Sequence, residues 1–104
     1  MIDNIREKLD QPELLAQLAE EATELAQAAL KLRRAITNIN PTPVSAEDAQ
    51  EDLEEEIADV LLCIRAAGFS NHPAKYAGAM VSKARRWKKR LEQKEVSAKN
   101  LVMK

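Results

Sequence analysis

The chain has 104 residues and a formal charge of −1, with only two glycines, four prolines and one cysteine. That scarcity of Gly and Pro, against abundant Ala, Leu, Glu, Lys and Arg, predicts an all-α protein of one domain. The near balance of charge excludes a general nucleic-acid or membrane-surface binder, so neither partner is expected. No apolar run approaches the roughly 20 residues that span a bilayer, and Met1-Ile2-Asp3-Asn4 lacks a signal-peptide pattern, so a cytoplasmic location is expected.

Residues 2–9 predict a short first helix. Asp10 is a good N-cap for a long second helix, with Pro12 in its first turn and Glu13 placed for a capping box. Leu15, Leu18, Ala22, Leu25, Ala29, Leu32 and Ile36 then alternate at spacings of three and four, the seam of a packed helix. The stretch from Thr37 to Val44, with Pro41 and Pro43, ends it. Ser45 caps the next helix, with Asp48 as an acidic box partner and Leu53, Ile57, Val60, Ile64 and Ala67 as its seam. The lone Cys63 within it reads as a buried thiol.

Gly68 marks that helix's end, and a last helix is expected from Pro73 or Ala74, with Ala77, Met80, Ala84, Trp87 and Leu91 as its apolar side and Trp87 in a core. The pattern fades after Lys94, which divides the chain into a helical domain over 1–94 and a tail over 95–104. The long helices carry apolar residues on more than one side. A homodimer is therefore expected, the fold being an all-α long-helix bundle whose four-helix core is completed by dimerisation.

Two acidic clusters carry the chemistry. Glu20-Glu21-Ala22-Thr23-Glu24 lies in one helix and Glu54-Glu55-Glu56-Ile57-Ala58-Asp59 in the next. Glu21 with Glu24, and Glu56 with Asp59, are each three residues apart, so each pair projects from one side of its helix and repels. Gln17, Glu21, Glu24, Ala28 and Lys31 form one stripe, and Asp52, Glu56, Asp59 and Cys63 form another. If the stripes face, four carboxylates converge, and oxygen-only ligands suit a hard divalent ion: Mg²⁺, with Mn²⁺ as the alternative. Lys83, Arg86 and Arg90 follow on a basic stripe that can neutralise a polyphosphate, and Lys31 can pair with a carboxylate or reach a phosphate. There is no zinc pattern, glycine-rich phosphate loop or Ser-His-Asp set.

Leu18-Ala19-Glu20-Glu21-Ala22-Thr23-Glu24-Leu25, followed by Glu55-Glu56-Ile57-Ala58-Asp59-Val60-Leu61, resembles the E-x-x-E and E-x-x-D signature of the MazG-like, all-α nucleoside triphosphate pyrophosphohydrolases. The resemblance spans roughly residues 14–92. It implies Mg²⁺-dependent cleavage of a nucleoside triphosphate into monophosphate and pyrophosphate by a dimer or dimer of dimers. On it, Glu21, Glu24, Glu56 and Asp59 become metal ligands. Glu20 and Glu21 take the catalytic role, with Glu20 or Glu55 to accept a proton. Phosphate contact goes to Lys83, Arg86 and Arg90, with Lys31. The chain departs from the family in the long Glu24-to-Glu56 connection through Asn40-Pro41-Thr42-Pro43, and in lacking an evident counterpart of the family's downstream Asn after Lys83. Two other readings stay open: a non-catalytic helical interaction module, and a nucleotide-binding sensor without turnover.

Overall fold

The computed structural model describes residues 1–103 and contains, among them, four helices and no strand: α1 (Ile2–Lys8), α2 (Gln11–Thr37), α3 (Ala46–Ala66) and α4 (Pro73–Met103). The chain divides into two units, the first Met1–Ser70 and the second from Asn71 onward.

In the first unit the boundaries of α2 and α3 have local causes. The Asp10 carboxylate accepts from the Glu13 amide at 3.2 Å and the Ser45 hydroxyl accepts from the Asp48 amide at 3.1 Å, so both long helices start on a side-chain cap. α2 stops at Asn38, which adopts the left-handed conformation at φ 52° that Asn tolerates better than most residues. α3 stops at Gly68, φ 89°, where the Gly68 amide donates to the Arg65 carbonyl and the Phe69 amide to the Ile64 carbonyl, both at 3.0 Å. That bond pair is a Schellman closure, and it satisfies carbonyls the helix would otherwise leave free.

α2 and α3 form an antiparallel hairpin: Leu14 near the start of α2 packs with Ala66 and Ala67 at the end of α3. The inward face of α2 runs through Leu14, Leu18, Glu21, Leu25, Ala28, Leu32 and Ala35, all buried or half-buried. Its counterpart on α3 runs through Ala49, Leu53, Glu56, Val60, Cys63 and Ala67. Both alternate spacings of four and three, as a two-helix seam requires. The expected seam is corrected in part: Leu15, Ala22, Ala29, Ile36 and Ile57 are exposed, whereas Leu18, Leu25, Leu32, Leu53, Val60, Ile64 and Ala67 are buried or half-buried. α2 is apolar on two sides, so spacing alone is satisfied by either stripe.

α1 secures the open end of the hairpin. Ile5 packs on the Leu14–Ala66–Ala67 cluster, and the Arg6 guanidinium donates to the Ala66 carbonyl at 3.0 Å and to the Arg65 carbonyl at 2.5 Å. Gln11 adds a bond to the Ala67 carbonyl at 3.3 Å. A cation on the last carbonyls of α3 also offsets the negative end of its dipole.

The second unit is α4, continuous through Lys94 to Met103. Its described side chains are exposed, including Trp87 at 64 %. The expectation of a core Trp87 is thereby corrected: a single helix has no second layer to cover its apolar side. Among the described residues no helix is long and apolar enough to cross a membrane.

The two glycines differ in what they do. Gly68→Ala is expected to destabilise the first unit by about 1 kcal/mol, because no atom lies within 4 Å of the added Cβ and the cost is purely the left-handed backbone. Gly78→Ala, inside α4 with open space around it, is expected to favour the helical state by about 1 kcal/mol. Denaturant titrations followed by helix circular dichroism check both signs, and equal signs would contradict the assignment.

Candidate metal centre

Glu21 and Glu56 occupy the seam itself, where a heptad pattern calls for apolar residues. Leu18 and Leu25 flank Glu21 on α2, and Leu53 and Val60 flank Glu56 on α3, so the packing of their neighbours holds the two carboxylates toward each other across the hairpin. Glu24, one turn beyond Glu21 and exposed, joins them: one carboxylate oxygen from each of Glu21, Glu24 and Glu56 lies within 4.8 Å of the others.

The cluster is short of donors. Gln17, one turn before Glu21, donates its amide to Glu21 Oε1 at 3.0 Å and so fixes that carboxylate's orientation. Glu21 Oε2 and Glu56 Oε2 are buried and have no hydrogen-bond partner. Acceptor oxygens without donors are costly for the protein alone and are what a cation would satisfy.

Charge crowding weakens the acidity of two of these groups. Glu24 is held above the ordinary carboxyl value of 4.5, first by the charge of Glu21 and then by Glu56. Glu56 is raised as well, first by burial and then by the charges of Asp59 and Glu21. The Cys63 thiol is pushed up by burial, with Glu21 and Asp59 adding to it, which leaves it an inert seam residue.

Two cavities flank the carboxylates. The larger, about 660 Å³, has Glu24, Asp52, Glu55 and Glu56 on its wall, with Lys31 and Arg34. The smaller, about 310 Å³, is mainly apolar, bounded by Ile5, Leu9, Leu14 and Leu62, with Glu21 and Asp59 at its edge. Asp59 is thus exposed on α3 outside the three-carboxylate group. Glu20 is exposed on α2 and lines neither cavity, whereas Glu55 lines the larger one.

Lys31 is half-buried, and the intrahelical ion pair open to it does not form: among the described residues the ion pair within 4.0 Å is Lys88–Glu92. Lys83, Arg86 and Arg90 are exposed on α4 in the second unit. Arg34 is the cleft residue that sequence reasoning missed, although its place one turn after Lys31 was a signal for it. The chain matches no family model, no curated protein and no solved structure.

Raised carboxyl values mean that the folded chain binds protons more tightly than the unfolded one, so their contribution to stability is full below 4.5 and is lost as pH rises through the folded values. In chelator, Glu24→Gln is therefore expected to raise the melting temperature at neutral pH and to have little stabilising effect in acid. Melting curves of both proteins across that range check the sign, and a stabilisation confined to acid would reverse it.

Proposed function

We propose that this protein is a Mg²⁺-dependent nucleoside triphosphate pyrophosphohydrolase that releases monophosphate and pyrophosphate as nucleotide-pool housekeeping in the cytoplasm. The observation that carries the proposal is the meeting of Glu21, Glu24 and Glu56 from two helices, with a buried oxygen of Glu21 and of Glu56 left without donors. An all-oxygen donor set under like-charge repulsion fits a small hard cation better than it fits zinc or copper. Glu21, Glu24 and Glu56 would hold it, and the resemblance adds Asp59. Bound there, Mg²⁺ would neutralise phosphate oxygens and lower the pKa of a water.

The chain's own residues supply the rest. Gln17 keeps Glu21 aimed through the bond to its Oε1. Glu55, exposed on the cleft wall, can accept the proton of the attacking water, the role the resemblance also leaves to Glu20. The choice of bond, between the monophosphate and the pyrophosphate, comes from the resemblance. So does phosphate binding by Lys83, Arg86 and Arg90, each exposed and free to engage an anion.

Self-association belongs to the same proposal. Leu15, Leu30, Leu61 and Leu62 remain exposed on the hairpin, with Leu61 at 53 %, and a second copy would cover them. The interaction-module reading draws instead on α4, where Met80, Trp87 and Leu91 stand exposed on one side; the absence of turnover would favour it.

Product analysis by phosphorus NMR tests the reaction: Mg²⁺ and a panel of standard and modified nucleoside triphosphates are expected to yield monophosphate and pyrophosphate. Glu56→Gln is expected to cut turnover by about a hundredfold or more with helix content intact. Orthophosphate as the primary product would overturn the reaction, and full activity in Glu56→Gln would overturn the metal assignment.

Leu61→Asp is expected to turn a sedimenting dimer into a folded monomer, because it places a charge in the contact and leaves the α2–α3 seam untouched. A wild-type chain that sediments as a monomer at micromolar concentration would rule out the dimer.

A further inference from the structure

The larger cavity is chemically two-ended. On α2 its wall runs from Glu24 through Gln27 and Ala28 to Lys31 and Arg34, so carboxylate gives way to cation along one helix. Lys31 lies about 10 Å and Arg34 about 15 Å along the axis from Glu24, at 1.5 Å per residue. Helical side chains lean toward the N-terminus, so both cations reach back toward the carboxylates. Asp52, Glu55 and Glu56 share this wall, yet neither cation has an ion-pair partner within 4.0 Å. Arg34 is exposed and Lys31 half-buried, which leaves a guanidinium and an ammonium free to meet an incoming anion.

We infer that Arg34, together with Lys31, forms the polyphosphate-binding end of this cleft, so that a substrate's phosphates run along α2 from the carboxylates toward its C-terminus. The inference rests on the hydrolase reading for its substrate, but the binding it describes is separable from turnover. A planar guanidinium that grips two oxygens of a terminal phosphate discriminates a long phosphate chain from a single phosphate, because only the long chain reaches Arg34 while still engaged at the carboxylates. Arg34 also lies in the last turn of α2, where any cation offsets the helix dipole. That role affects stability and is indifferent to the length of a bound anion.

Calorimetric titration of the full chain in excess Mg²⁺ tests this, with inorganic tripolyphosphate and orthophosphate as probes. Arg34→Gln is expected to weaken tripolyphosphate binding about tenfold, the loss of one charged hydrogen-bonding group, and to leave orthophosphate within about twofold. Arg34→Lys should recover part of the loss, and Lys31→Gln should weaken tripolyphosphate in the same direction. Circular dichroism confirms that each variant is folded. Wild-type tripolyphosphate affinity in Arg34→Gln would overturn the inference, as would an equal loss for both anions. If triphosphates are hydrolysed while Arg34→Gln binds tripolyphosphate normally, the inference fails and the hydrolase reading stands. If tripolyphosphate binding depends on Arg34 but no nucleotide is cleaved, the binding site stands and the hydrolase reading fails.

Discussion

Two glutamates in the packing seam of a helical hairpin are the constraint around which the first unit is arranged. Glu21 and Glu56 sit at positions that the spacing of their neighbours marks as inward-facing, and they meet there with Glu24 beside them. A leucine at either position would lengthen the apolar seam. A carboxylate brings repulsion and an unpartnered buried oxygen instead. Such residues persist at functional sites because the rest of the structure is stable enough to carry them.

That stability comes from both ends of the hairpin. Toward the open end, Leu14, Ala66 and Ala67 make a small tight cluster with Ile5 packed on it, and Arg6 and Gln11 tie α1 and the start of α2 to the last carbonyls of α3. Beyond the carboxylates, Leu25, Leu32, Leu53 and the buried Ala49 continue the seam toward the connecting loop. The carboxylates are thus gripped between two apolar stretches, which limits how far the helices can separate to relieve the repulsion. Relief has to come from protons, as the raised values of Glu24 and Glu56 indicate, or from a cation.

The sequence makes the helices legible because their ends are written in short-range chemistry. Asp10, Ser45 and Gly68 each act within four residues of themselves, and the structure has them capping or closing the helices expected of them. The sequence has four carboxylates converge only if the two acidic stripes face each other, since like charges at helical spacing are equally at home on a solvated surface. The structure brings together Glu21, Glu24 and Glu56 and leaves Asp59 outside. What was not readable is rotation about the helix axis. The stripe through Ala22 and Ala29 and the stripe through Glu21 and Ala28 differ by one residue, and only tertiary contact decides which one turns inward. Because a hydrophobicity pattern counts glutamate as a surface residue, it places Glu21 beside the seam rather than in it. Arg6 carries no sequence signal for a related reason: its partners are carbonyls some 60 positions away, and backbone oxygens leave no mark in a sequence.

The rotation that was hidden also determines the shape of the site. With Glu21 and Glu56 in the seam, the remaining members of each acidic stripe are divided between two cavities of opposite character. Glu24 and Asp52 line the larger one, which also has two free cations, while Asp59 borders, beside the seam residue Glu21, a smaller one walled by Ile5 of α1 and by other aliphatic side chains. Had the acidic stripes lain wholly outside the seam, all four carboxylates would share one solvated face, with no reason for an anion to approach from one direction over another. Embedding one glutamate per helix makes the cluster a partition, polar and cationic on one side and apolar on the other. A ligand with a charged end and an apolar end then meets a different environment at each. The repulsion in the seam is therefore linked to directionality, and a substitution that removed the first by restoring an apolar seam would remove the second.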